Sequence, residues 1–203
     1  MKALIIVDIQ NDFLPGGALA VSRGDEVIPV ANQVAAKLDL VVATQDWHPL
    51  HHQSFAAEHR GKKVGELITL HGLPQVLWPV HCVQGTNGAA FARRLDTTKI
   101  AKIFPKGTDV RIDSYSGFFD NGHRQSTGLG EDLRARGVQE VYVLGLATDY
   151  CVKFTALDAL QLGFRTRLVV DGCRAVNLAP DDDARAIDAM KAAGVEIVES
   201  ADV

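Results

Sequence analysis

The chain has 203 residues, with 47 % apolar and 23 % charged side chains and a formal net charge of −4, which suits one globular domain with a full core. The acidic balance and scattered Lys and Arg give no footing for nucleic acid or an anionic membrane as partner, and no apolar run approaches membrane-spanning length. Three widely spaced cysteines make no disulfide framework and point to a reducing cytoplasm.

The segment from Met1 to Val7 is too short for a signal peptide and reads as the first strand. Its run Ala3-Leu4-Ile5-Ile6-Val7 is continuously apolar, the mark of a strand buried on both faces of a parallel sheet, and Asp8 ends it. Pro15-Gly16-Gly17 is a loop; no Gly-Lys-Ser/Thr follows, so it is not a phosphate loop. Asp25 to Leu38 is helical, with Val27, Ile28, Val30, Ala31, Val34 and Leu38 on one broad face. Leu40 to Thr44 is the second strand. Gln45 to about Leu73 reads as one long His-rich loop, a length that marks function inside a compact domain. Trp78 to Cys82 closes that region, and Ile100 to Pro105 is the third strand, ending at Lys106-Gly107. After a loop at Asp113 to Phe119, Gly130 to Arg136 is helical and Gly137 stops it. Val141 to Leu144 is the fourth strand, followed by a tight turn and a helix from Tyr150 to Leu162. Arg165 to Val170 is the fifth strand. Asp181 to Ala193 is a helix capped by the Pro180-Asp181 entry and stopped by Gly194, and Val195 to Val198 is the sixth strand. This alternation predicts a single α/β domain over residues 1–203: a three-layer sandwich whose six-stranded, mainly parallel sheet carries helices on both faces. Ligands bind beyond the carboxyl ends of such strands. Asp8, the Gln45 loop, Lys106 and Cys151 all fall there.

The turn Gly145 to Lys153 carries the sharpest chemistry. Thr148 and Asp149 are both good N-cap residues. Cys151 would then sit at the positive end of a helix dipole, which lowers a thiol's pKa. The same N–H groups can hold an oxyanion forming on a carbonyl that the sulfur attacks. On position alone, a small buried hydrophobe is an equal reading. Asp8 alone is a turn residue, and Lys106 alone a solvated surface lysine. Together with Cys151 they set a base, a cation and a thiol at adjacent strand ends. A thiol attacking an amide must lose its proton and the leaving amine must gain one; one carboxylate can do both. A second cluster is Asp46-Trp47-His48-Pro49, with His51, His52, Ser54 and the more distant His81. Asp-x-His can present an oxygen and an imidazole to one ion, with His81 as a third ligand. Such a mixed set suits Zn²⁺, Fe²⁺ or Mn²⁺; the plain alternative is a polar surface loop. Phe13 and Trp78 can sandwich a flat substrate or simply pack. Cys82 and Cys173 have no matched partners and read as structural or incidental.

Taken in order, Val7-Asp8-Ile9-Gln10-Asn11-Asp12-Phe13, Thr44-Gln45-Asp46-Trp47-His48-Pro49, Trp78-Pro79-Val80-His81-Cys82-Val83, Phe104-Pro105-Lys106-Gly107, Tyr115-Ser116-Gly117-Phe118 and Gly145 to Val152 resemble the nicotinamidases (pyrazinamidases) of the isochorismatase-like cysteine hydrolase superfamily. The resemblance covers nearly the whole chain. It implies a triad of Asp8, Lys106 and Cys151, and an oxyanion hole at the Ala147 and Cys151 N–H groups behind a cis Leu146–Ala147 peptide. It implies one divalent metal, Zn²⁺ ahead of Fe²⁺ or Mn²⁺, held by Asp46, His48 and His81 and binding the pyridine nitrogen. Whether His51, His52 or Ser54 adds a fourth ligand stays open. Phe13 and Trp78 would flank the ring, with Tyr115 a third substrate contact. The implied reaction is hydrolysis of nicotinamide to nicotinate and ammonia, and of pyrazinamide to pyrazinoate, in NAD salvage through a thioester. The implied partner is that small molecule, and a homo-oligomer is compatible with it. Relatives acting on carbamoyl or ureido substrates share the Cys triad but lack the metal cluster. The isochorismatase branch cleaves a vinyl ether without a nucleophilic Cys. A non-hydrolytic thiol or metal-binding protein is the alternative from another class.

Overall fold

A computed structural model describes residues 1–203. In chain order the elements are β1 (Lys2–Val7), α1 (Val27–Ala35), β2 (Leu40–Asp46), β3 (Leu67–Leu70), β4 (Leu73–Val76), β5 (Lys102–Lys106), α2 (Leu129–Ala135), β6 (Glu140–Leu146), α3 (Lys153–Gln161), β7 (Arg165–Arg174), α4 (Asp182–Ala193) and β8 (Glu196–Val198). Six strands form one sheet in the order β5-β2-β1-β6-β7-β8. Every pairing in it is parallel, so the sheet is wholly rather than mainly parallel. Ala3 to Val7 of β1 are all fully buried, which explains an apolar run without alternation.

The chain steps outward from β1 through β2 to β5, returns across β1 to β6, and then steps the other way through β7 to β8. With right-handed crossovers, this reversal puts α1 on one face and the packed pair α3 and α4 on the other. The reversal lies between β1 and β6, a switch point where the loops diverge and leave a crevice. Asp8 follows β1 and Ala147 follows β6 at this gap. Close packing there depends on Gly145: its φ is +127°, and a Cβ would collide with the Val7 carbonyl oxygen.

Four local expectations are corrected. The stretch from Gln45 to Leu73 is not all loop, because β3 and β4 pair as an antiparallel hairpin. His71 and Gly72 both have positive φ at its tip, as a two-residue hairpin turn of the favoured twist requires. The helix expected from Tyr150 begins as a wider turn over Thr148–Val152, in which the Val152 N–H reaches the Ala147 carbonyl five residues back; α3 starts at Lys153. The side chains of Thr148 and Asp149 do not cap it. Nor does Asp181 cap α4 with its side chain; Asn177 Oδ1 accepts the Asp183 N–H there.

Candidate active site

Four neighbouring strand ends meet at one crevice: Asp46, Lys106 and Ala147 line it, and Asp8 lies fully buried against Lys106. Asp46 and Lys106 are paired partners at the ends of β2 and β5. Thr44, two residues earlier, donates to Asp8 Oδ1 at 2.7 Å and fixes that carboxylate. Lys106, fully buried along its side chain, donates from Nζ to Asp46 Oδ1 at 2.9 Å, the Ser114 carbonyl at 2.8 Å and Cys151 Sγ at 3.4 Å. Asp8 Oδ2 lies 2.9 Å from the same nitrogen. The three ammonium hydrogens are spent on the other partners, so Asp8 Oδ2 is a buried acceptor with no hydrogen bond of its own. It has a vacant lone pair in contact with the cation that touches the thiol.

Burial opposes every charge here, and the outcome differs by group. Burial pushes the Cys151 thiol well up, with Lys106 pulling it down and Asp8 and Asp46 adding to the rise. It raises Asp8 as well, against Lys106. On Lys106 burial acts downward, but Asp46 and Asp8 outweigh it and hold the ammonium well above its usual range. On Asp46 burial acts upward, but His48 and Lys106 outweigh it and the carboxyl sits well below its usual range. The expected depressed thiol is therefore overturned. A thiol held up in this way would need a base in order to act as a nucleophile.

Beside this lies a set that fits a divalent ion. Ligand atoms of Asp46, His48 and His81 all lie within 4.8 Å of one another, and all three residues are buried. His48 Nδ1 is 2.9 Å from the Gly107 carbonyl and His81 Nδ1 is 2.8 Å from the Pro79 carbonyl. A carbonyl only accepts, so each Nδ1 carries a hydrogen and each ring turns its Nε2 inward; on His48 burial acts downward, but Asp46 outweighs it and raises the imidazole. Both Nε2 atoms face Asp46 Oδ2, at 2.8 and 3.3 Å. Two Nε2 atoms converging on one carboxylate form a donor set that suits a divalent cation, and backbone-anchored Nδ1–H groups are how metal-bound histidines are oriented. Gly107 is part of that support: its φ is +62°, and a Cβ would lie 2.5 Å from His48 Cε1. Gln10 fixes Asp46 by accepting its N–H at 2.8 Å and donating to its carbonyl at 2.8 Å.

His51 is exposed and bonds Glu58. His52 packs against His48 with ring centroids 4.4 Å apart and the planes tilted by 46°, and it bonds Ser54 Oγ through Nδ1. Neither His52 nor Ser54 joins the Asp46 group; His52 forms a second cluster with His48 and Asp113.

The crevice is narrow, with a cavity volume of about 20 Å³. Phe13, Trp78, Tyr115 and Ala147 line it with Asp46, His81, Lys106 and Cys151. Phe13 packs edge-on to His81 at 5.6 Å, and Trp78 Nε1 donates to the Tyr115 hydroxyl at 3.2 Å. Sequence reasoning missed Leu19, Asp113, Tyr150 and Val176, which also line the crevice. Tyr150 was findable as the neighbour of Cys151. Val176 follows β7 and has no local signal. The Leu146–Ala147 peptide is cis, as the resemblance implied. All three cysteines are free.

A family model described as the Isochorismatase domain matches residues 2–202. The nicotinamidase of Escherichia coli is 50 % identical over 205 residues, covering 99 % of this chain and 96 % of that one. Among solved structures, the nicotinamidase/pyrazinamidase of Acinetobacter baumanii superposes with a TM-score of 0.96 at 46 % identity, over 99 % of this chain and 97 % of that one. The pyrazinamidase of Pyrococcus horikoshii in complex with zinc gives a TM-score of 0.81 at 42 % identity, over 98 % of each chain.

Proposed function

This chain belongs to the isochorismatase family, and on that premise we propose that it is a nicotinamidase, hydrolysing nicotinamide to nicotinate and ammonia and pyrazinamide to pyrazinoate. One observation carries the reading: Lys106 Nζ touches Asp8, Asp46 and Cys151 at once, joining a base, a thiol and a metal-competent cluster in one crevice. Cys151 Sγ attacks the carboxamide carbon while its proton passes to the vacant Oδ2 of Asp8. The oxyanion would accept from the N–H groups of Ala147 and Cys151, since fixed backbone donors stabilise charge as it develops. Asp8 then returns the proton to the amine, the C–N bond breaks, ammonia leaves and a thioester remains. Water adds to the thioester with Asp8 again as base, and nicotinate departs as the thiol re-forms. Lys106 favours the charged form of Asp8, against the burial that raises its carboxyl. Asp46, His48 and His81 would hold one divalent ion, zinc by analogy with the archaeal relative, and when bound it supplies coordination for the ring nitrogen. Phe13, Trp78 and Tyr115 wall the ring.

The metal-competent trio favours this reading over the metal-free carbamoyl and ureido amidases of the superfamily. The buried, raised thiol disfavours a redox sensor, which needs an accessible thiolate. The test is ammonia release from nicotinamide by metal-replete protein, with Cys151→Ala and Cys82→Ala alongside. We expect Cys151→Ala to abolish turnover while folding normally, and Cys82→Ala to keep most of it. Turnover by folded Cys151→Ala would overturn the mechanism.

A further inference from the structure

Asp149 is buried, lies two residues before Cys151, and does not touch the crevice. Its side chain caps nothing in its own turn. It reaches across to the chain leaving β7, where the Val176 N–H donates to Oδ1 at 3.0 Å and the Asn177 N–H donates to Oδ2 at 2.9 Å. Backbone N–H groups need acceptors, and here one buried carboxylate serves two successive ones. Asn177 has φ +53°, which turns the chain away at once, and its Oδ1 accepts the Asp183 N–H at the start of α4. The residue between these ties, Val176, is a wall of the crevice, facing a space shared with Ala147 and Cys151. Burial raises the Asp149 carboxyl and the two N–H groups oppose that rise, as expected for an acid kept inside for its acceptors.

We propose that Asp149 is a positioning residue for the reaction: its carboxylate clips the Val176 wall to the turn that carries the nucleophile, and so sets the width of the substrate slot. The carboxylate meets each N–H donor with its own oxygen. An asparagine side chain in its place would offer one oxygen and turn its NH₂ against the other donor. A displacement of about 1 Å in such a wall costs on the order of 10²-fold when it misplaces the reacting carbonyl. The inference rests on the amidase reading above, so its test includes measurements that need no substrate.

The experiment compares wild type, Asp149→Asn, Val176→Ala and the double variant, all loaded with metal. Asp149→Asn is expected to lose ~10–100-fold in kcat/KM for nicotinamide, mostly as a raised KM. Val176→Ala is expected to cost much less in the Asp149→Asn background than alone, because the wall it trims is already out of place. Alkylation of Cys151 by iodoacetamide, which needs no ring slot, is expected to proceed at the wild-type rate in Asp149→Asn. The Val176 and Asn177 amides are expected to exchange with solvent faster in that variant. If Asp149→Asn does not fold, Asp149→Glu keeps both oxygens one methylene out of place and carries the same comparisons. Additive effects at 149 and 176, or an alkylation rate that falls as far as turnover does, would overturn the proposal. A wild type that does not hydrolyse nicotinamide while its two amides stay protected only through Asp149 would overturn the amidase reading and leave the clip standing.

Discussion

Asp8 and Lys106 each have an ordinary reading at the end of a strand, and only their shared neighbour Cys151 makes them notable in the sequence. What the sequence could not show is how thoroughly Lys106 is enclosed. It is the counter-ion of two buried carboxylates, and removing one member of a buried ionic group typically costs about 3–5 kcal/mol because the others are left unpaired. Lys106→Met should therefore lose both activity and stability, read as a lower denaturant midpoint together with absent turnover. Asp8→Asn keeps shape but cannot accept the proton; single-turnover acylation should fall by about 10²–10⁴-fold with a much smaller change in melting temperature. Normal acylation in that variant would send the search for a base elsewhere. Gly107→Ala probes the support of the metal cluster. Its Cβ would press on His48 from a left-handed backbone, so metal content should drop while Cys151 stays alkylatable.

Among elements, the sheet strands were legible because burial on both faces leaves continuous apolar runs, as in β1 and β6. The hairpin of β3 and β4 was not, because its strands are only four residues long and partly exposed, without clean alternation. The His71-Gly72 turn was the available signal. The wide turn at Thr148–Val152 was also hidden: its residues suit a helix start, and the five-residue hydrogen bond is imposed by the approach from β6. The tie between the start of α1 and the end of β7 is testable. Glu26 is bonded first by Arg23 and then by Arg174, each at 2.8 Å, and its carboxyl is held at about 2 against an ordinary 4.5. A depressed carboxyl contributes stability that is whole above the unfolded pKa and lost as pH falls through the folded one. Glu26→Gln should thus lower the melting temperature at pH 6, with the gap from wild type closing between about pH 4.5 and pH 2. Exposure to solvent keeps the gap small and salt-sensitive. A gap unchanged down to pH 2 would mean the ion pairs contribute nothing.

At the scale of the whole molecule, the site exists because the chain reverses direction between β1 and β6. Asp8, Asp46, Lys106 and Ala147 each sit where a parallel strand ends, so alternating strands and helices were enough to predict convergence on one edge. The order of convergence needed the topology: Lys106, Asp46, Asp8 and Ala147 come from β5, β2, β1 and β6, adjacent in space and scattered in sequence. The metal-competent trio adds a fifth segment, the one carrying His81, and ties it to the end of β2. A bound ion should therefore stabilise the native state by mass action. Chelation should lower the melting temperature, zinc should restore it, and His48→Ala should show neither change. The same samples separate placement of the substrate from polarisation of water. Benzamide has the shape of nicotinamide without the ring nitrogen, so it should be a poor substrate whose residual turnover depends little on the metal. Nicotinamide turnover should collapse in both chelated wild type and His48→Ala, since placement against the thiol can be worth several kcal/mol. If both substrates lose equally, the ion does not act through the ring nitrogen. If chelated, verified metal-free wild type turns over nicotinamide at the full rate, the chain works as the metal-free amidases do and the trio serves stability alone.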